Sequence, residues 1–173
     1  MRGWAYNTLI VAGAPEELRA FKRAVRASRP DPKTGRREVL DFGRHRPMPS
    51  ELLVEKGSSA AGGLPGWLAW RIENWGTKWN AVSPTVSGTP HSGELRYRFQ
   101  TAWTPPVEWL QFVAGVYPAL RFELSYRAEL GDVRGVLRLE GGRVVEDRCR
   151  AIFGSRERAQ RPRLEIRSST PSW

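Results

Sequence analysis

The sequence predicts an α+β fold, a mainly antiparallel sheet with helices on one face and a hairpin at its C-terminal end. Three observations carry that expectation. Leu120, Phe122, Leu124 and Tyr126 alternate with Arg121, Glu123, Ser125 and Arg127, the pattern of a strand with one packed and one polar face. Leu95, Tyr97, Phe99 and Thr101 alternate in the same way with Arg96, Arg98 and Gln100. Between such stretches lie segments whose apolar residues fall at helical spacing behind a proline, which costs no hydrogen bond at a helix start.

Taken in order, Tyr6 to Ala12 rises into the apolar run Leu9-Ile10-Val11 and reads as the first strand. Pro15-Glu16-Glu17 then opens a helix with two acids at the positive end of its dipole. Leu18, Phe21 and Val25 form its apolar stripe, and Arg19, Lys22, Arg23 and Arg26 lie opposite. Arg29 to Arg37, rich in proline, glycine and cations, reads as an exposed basic loop. Val39 to Phe42 reads as a short strand or extended piece.

Ser50 can cap a short helix running to about Lys56, and the Gly57–Gly63 run is the most flexible composition in the chain. Pro65 opens a tryptophan-bearing helix with Leu68, Ile72 and Trp75 inward, and Gly76 is placed to end it in the left-handed conformation. Thr77 to Thr85 and Glu94 to Trp103 read as paired strands joined by a turn at Gly88 to Gly93. Thr104-Pro105 starts another helix, with Val107, Leu110 and Val113 inward. After the strand at 120–127, Val133 to Leu139 and Arg143 to Cys149 form a hairpin around Glu140-Gly141-Gly142. Residues 1–154 are therefore expected to form one domain, and residues 155–173 a basic, flexible tail with arginines at 156, 158, 161, 163 and 167. A split β-α-β connection whose consecutive strands also pair as a hairpin is ferredoxin-like in kind.

Composition narrows the chemistry. The 173 residues carry one cysteine, Cys149, which leaves no internal disulfide framework and no multi-cysteine metal site, as in a reducing compartment. The longest apolar run, Leu9 to Ala14, is too short for a membrane span or a signal core, so a cytoplasmic protein without a membrane partner is expected. His45 and His91 lie far apart in turns, short of the three or four ligands that zinc needs. Asp41, Glu73, Glu94, Glu123 and Glu129 show no spacing that pairs two carboxylates for acid–base work. No phosphate-cradling glycine motif occurs, and no cofactor is implied.

Two features remain. Trp67, Trp70, Trp75 and Trp79 crowd a helix-to-strand corner, where indoles are more often core than a stacking platform; Asn74, Thr77 and Asn80 then tie the corner together. The net charge is +10, and residues 19–46 hold ten basic and three acidic residues. Arg19, Lys22, Arg23 and Arg26 continue into Arg29, Lys33, Arg36 and Arg37 as a stripe able to track a phosphate backbone. The bland reading of such a stripe is a solvated face.

Particular strings also resemble a known family. They are Trp4 with Asn7-Thr-Leu-Ile-Val-Ala-Gly13, Asp41-Phe42 with Pro47-Met-Pro-Ser-Glu-Leu52, Asn74-Trp-Gly-Thr-Lys-Trp-Asn80, Phe99-Gln-Thr-Ala-Trp-Thr-Pro-Pro106 and Phe122-Glu-Leu-Ser-Tyr126. In these the chain resembles the YubB-type, ferredoxin-like family found on plasmids and in bacteriophage genomes. The resemblance implies a fold and no particular reaction. It makes Trp4, Asn7, Asn74, Trp75, Gly76, Thr77, Lys78, Trp79 and Trp103 motif residues of structural kind. The cysteine or histidine that family members usually carry near the first tryptophan and the central helix is replaced here by Ala5-Tyr6 and Arg71-Ile72, which removes support for a metal or thiol role.

Three functions stay open at this stage. The first is a non-enzymatic accessory protein of a mobile element that holds DNA or RNA through a basic face. The second is an interaction module, such as an anti-defence factor, that binds an acidic host protein. The third is an enzyme with a cleft near Asn74, Lys78 and Glu129.

Overall fold

The computed structural model describes residues 3–54 and 63–151. Six strands form a single antiparallel sheet: β1 (Trp4–Ala12), β2 (Val82–Thr89), β3 (Glu94–Ala102), β4 (Arg121–Ala128), β5 (Val133–Glu140) and β6 (Arg143–Ala151). Their order is β2-β3-β1-β4-β5-β6. The first four strands, with the helices α1 (Pro15–Ala24) and α4 (Val107–Val116), make the ferredoxin-like unit. The C-terminal hairpin extends the same sheet through β4 and is no separate layer. Two further helices, α2 (Ser50–Val54) and α3 (Gly66–Trp75), lie in the connection between α1 and β2.

The alternation read from the sequence decides which face is covered. Leu9 stands opposite Tyr97 on β3 and Leu124 on β4, and Leu124 stands opposite Leu137 on β5. All four are fully buried. They pack with Leu18 and Phe21 of α1 and Trp109, Leu110 and Val113 of α4 into one core. Each such side chain contributes roughly 1.5–3 kcal/mol by leaving water. Phe21 sits at the centre, with edge-on contacts to Tyr97, Tyr117 and Phe122. Among the described residues no helix is long and apolar enough to cross a membrane.

Two local expectations are corrected. The strand expected from Thr77 begins only at Val82, because Thr77 to Asn80 are bends held by side-chain bonds. The extended piece expected at Val39 to Phe42 instead leads into a 3-10 turn, Phe42–Arg44, capped by the Asp41 carboxylate on Gly43 N–H at 2.9 Å. The Gly57–Gly63 run (up to residue 62) and the 155–173 tail fall outside the described residues.

Candidate functional site

α1 ends at Ala24, so of the expected helical stripe Arg19, Lys22 and Arg23 lie on the helix and Arg26 just past it. Arg19 and Arg23 are exposed on α1, and Arg26, Arg29, Lys33, Arg36 and Arg37 are exposed beyond it; Lys22 is half-buried. None of the eight is in a salt bridge among the described residues. The loop after α1 is more ordered than its composition suggests. Asp31 accepts the N–H groups of Lys33 (2.7 Å) and Thr34 (2.9 Å), which hold its carboxyl below the usual range, and Ala27 N–H donates to Glu38 O at 2.9 Å. This basic surface lies on the helix layer of the molecule.

Within the tryptophan corner Trp67 and Trp70 are half-buried and Trp79 is 42% exposed. Trp75 is buried and donates its indole N–H to Arg46 O at 3.0 Å. Gly76 ends α3 with φ 79°, and a Cβ there would stand 1.9 Å from the Glu108 carboxylate. The two motif strings meet at this point. Thr77 donates to Ala102 O at 2.7 Å, Thr104 donates to Gly76 O, and the Lys78 ammonium lies 4.7 Å from the Trp103 ring and 5.0 Å from that of Trp79. Arg71 sits among Trp67, Trp75 and Trp79 at 5.1–5.7 Å from the ring centres, and burial pulls its guanidinium pKa down. Cation–π contacts of this kind are worth about 0.5–2 kcal/mol each, depending on desolvation.

Asn7, also a motif residue, is buried on β1 and donates to Thr101 Oγ1 at 2.9 Å. Asn74 donates to Trp70 O at 2.9 Å and accepts from Arg46. Glu129 accepts the Trp4 N–H at 2.8 Å. Asn74, Lys78 and Glu129 thus each have partners of their own.

The arrangement that linear reading missed is the other face of the sheet. Cross-strand register places side chains there in rows running perpendicular to the strands. One row reads Gln100, Tyr6, Arg127, Arg134, Arg150 across β3, β1, β4, β5 and β6. The next reads Thr85, Arg98, Thr8, Ser125, Val136, Arg148. The third holds Arg138 between Glu123, at 2.6 Å, and Glu146. The contrast is electrostatic: Arg138 is neutralised from both sides, whereas Arg127, Arg134 and Arg150 are exposed and have no carboxylate within bridging reach among the described residues.

Like charges directly opposite on a sheet destabilise it by up to about 1 kcal/mol per pair, so this ladder lowers the stability of the free protein. Two shallow depressions lie on this sheet, one over β4, β5 and β6 and the other over β1, β2 and β3. One, of about 410 Å³, is lined by Arg134, Arg148, Arg150, Val136 and Ser125; the other, of about 300 Å³, by Tyr6, Thr8, Thr85, Arg98 and Gln100.

Tyr6, which lines the second of these from β1, is 45% exposed. Its hydroxyl donates to Glu129 at 3.1 Å, and that bond together with the carboxylate's charge pushes the phenol pKa up. Arginine at alternate positions of β3 and β4 was legible in the sequence as a polar face. That the arginines line up as a ladder depends on strand order.

Comparison with known proteins agrees with this architecture. The crystal structure of protein api92 from Yersinia pseudotuberculosis superimposes with a TM-score of 0.65, covering 90% of this chain and 99% of that one at 10% sequence identity. Among curated proteins none matches the chain in sequence. A family model described as the ferredoxin-like domain in Api92-like protein matches residues 74–161, from the tryptophan corner through the hairpin and beyond. The chain belongs to this Api92-like family through its ferredoxin-like domain.

Proposed function

We propose that the protein is a non-enzymatic nucleic-acid-binding accessory factor, cytoplasmic, and set in a plasmid or phage as the YubB-type resemblance implies. It holds its partner mainly through phosphates. The observation that carries this reading is the uncompensated ladder Arg127–Arg134–Arg150 on a sheet face that no described helix covers. A cross-strand arrangement that costs stability in the free protein is offset when a polyanion neutralises it. Guanidinium groups suit this role because each presents a planar fork of donors to phosphate oxygens.

The test is a salt titration of binding to a labelled oligonucleotide. Log affinity should fall linearly with log salt, with a slope of about −0.7 per phosphate neutralised on a single strand and about −0.9 on a duplex. Absence of retention even at low salt rejects the reading.

A second reading, an acidic protein partner, is supported by the α1 stripe, whose cations are likewise in no salt bridge among the described residues but lie on the opposite layer. A pull-down from nuclease-treated lysate separates the two, since a protein partner survives digestion and a nucleic-acid bridge does not.

A further inference from the structure

Resting on the nucleic-acid reading above, we propose that the open sheet face takes a single strand, with one unpaired base stacked on the Tyr6 ring and the neighbouring phosphates on Arg98 to one side and Arg127, Arg134 and Arg150 to the other. Three observations point to a single strand over a duplex.

The first is the ring itself. Tyr6 stands on β1, the strand inside the sheet with β3 on one side and β4 on the other; its side chain is 45% exposed and is anchored by the bond from its hydroxyl to Glu129. Duplex bases are stacked on one another and show a protein their edges and phosphates, so a duplex lying on this face would leave the ring without a partner. An unpaired base has a free π-face, and an aromatic platform accepts any base without hydrogen-bond readout.

The second is the shape of the surface. Sequence-reading of a duplex needs an element that enters a groove, an α-helix or a two-stranded ribbon. The row through Tyr6 lies instead on the flat of the sheet, and among the described residues no helix rises from that face. At about 4.8 Å per strand interval the six strands span roughly 24 Å. That is room for a short run of about four nucleotides, at the lower end of known single-strand sites.

The third is the order of side chains along the track. Gln100, Thr8, Thr85 and Ser125 sit among the cations in the two depressions, so sugar and base-edge groups meet uncharged donors and acceptors while phosphates meet arginine. An evenly charged pad would give phosphates everything and bases nothing.

The experiment is fluorescence anisotropy at low salt with a labelled mixed-sequence 12-mer, as RNA, as DNA, and as each annealed duplex. It is run on the intact chain and on Tyr6→Ala, Tyr6→Phe and the helix-layer control Arg19→Ala/Arg23→Ala, with far-UV circular dichroism to verify folding. The expected result is at least tenfold tighter binding of a single strand than of its duplex. Tyr6→Ala should lose roughly tenfold on the single strand and leave the duplex unchanged, and Tyr6→Phe should stay within about twofold of the wild type. The RNA and DNA arms identify which sugar the site accepts.

Equal affinity for strand and duplex with a neutral Tyr6→Ala overturns this inference and leaves the broader nucleic-acid reading standing. No binding in any arm overturns both. Displacement of the oligonucleotide by polyglutamate of equal charge also overturns it, in favour of an acidic protein surface.

Discussion

Arg127 of β4 stands directly opposite Arg134 of β5, a like-charged cross-strand pair on the open face, and Arg134 in turn stands opposite Arg150 of β6. Four residues along the same strand, Arg138 faces Glu123 and Glu146 and bonds both. The two sites share strand, face and residue type and differ only in the charge of their neighbours. Arg134→Glu would give its row the alternation that the Arg138 row already has. The expected outcome is a gain of about 1 kcal/mol, discounted for solvent screening because the groups are exposed, which is a few degrees in Tm. Nucleic-acid affinity should fall in the same variant. Thermal melts and anisotropy on one preparation check both halves; a loss of stability on Arg134→Glu would show that the ladder is not repulsive.

Asn80 fastens the start of β2 to the 3-10 turn at Phe42. Its Oδ1 accepts the Phe42 N–H at 2.9 Å and the Ala81 N–H at 2.8 Å, and its Nδ2 donates to Asp41 Oδ1 at 2.7 Å. Phe42 carries much of the aromatic core, with its ring 4.6 Å from Trp109 and 5.8 Å from Trp75. Asn80→Ala leaves two backbone donors without their acceptor and should cost about 2–3 kcal/mol in a urea melt. Asn80→Asp keeps the acceptor but sets a carboxylate against Asp41, so it should recover little of that loss.

Much of this framework was legible from residues alone, and the failures have physical causes. Gly76 as a left-handed helix end and the alternating faces of β3 and β4 follow from local rules that tertiary contacts reinforce. Thr77 misled because a β-branched residue followed by alternation resembles a strand start. Its hydroxyl is instead spent on Ala102 O, and the residue is buried in the corner. The true strand, Val82–Thr89, holds Pro84, Ser87 and Gly88, a composition that reads as a turn. An edge strand tolerates it, with a register shift between Val82 and Thr85 beside the proline. The α1 stripe was visible because helical spacing is short-range. The arginine ladder was not, because Arg127, Arg134 and Arg150 become neighbours only through the β4-β5-β6 order.

Gly135 is the point where the hairpin closes on the sheet. It stands opposite Tyr126 on β4 and Cys149 on β6, and an added Cβ would lie 2.3 Å from the Tyr126 ring and 2.7 Å from the Arg148 carbonyl. One of those contacts is backbone and cannot swing away. Gly135→Ala should therefore destabilise the fold by about 1–3 kcal/mol through overpacking. Because Arg134, Arg148 and Arg150 flank it, oligonucleotide binding should weaken in parallel. Gly131→Ala, in the turn before β5 and away from the ladder, separates the two effects: it should lower Tm without changing affinity at a temperature where both proteins are folded.

His45 gives the molecule a pH dependence whose sign follows from its surroundings. The ring is half-buried, with Nε2 at 2.9 Å from the Tyr117 hydroxyl, and burial first, then the Arg44 cation, hold its pKa below the ordinary value of about 6.5. The unfolded chain therefore takes up this proton at a higher pH than the folded one. Stability from the neutral ring is complete above about pH 6.5 and is lost as the pH falls below it toward the folded-state pKa. Tm should decline between pH 7 and pH 5, and His45→Gln, which can still hydrogen-bond Tyr117 but does not titrate, should flatten that decline. Asp31, whose carboxyl is held low by the Thr34 and Lys33 amides, acts in the same direction but only around pH 4 and below. A decline near neutrality that survives His45→Gln would assign it to another group, and a Tm that rises on acidification would contradict the burial argument itself.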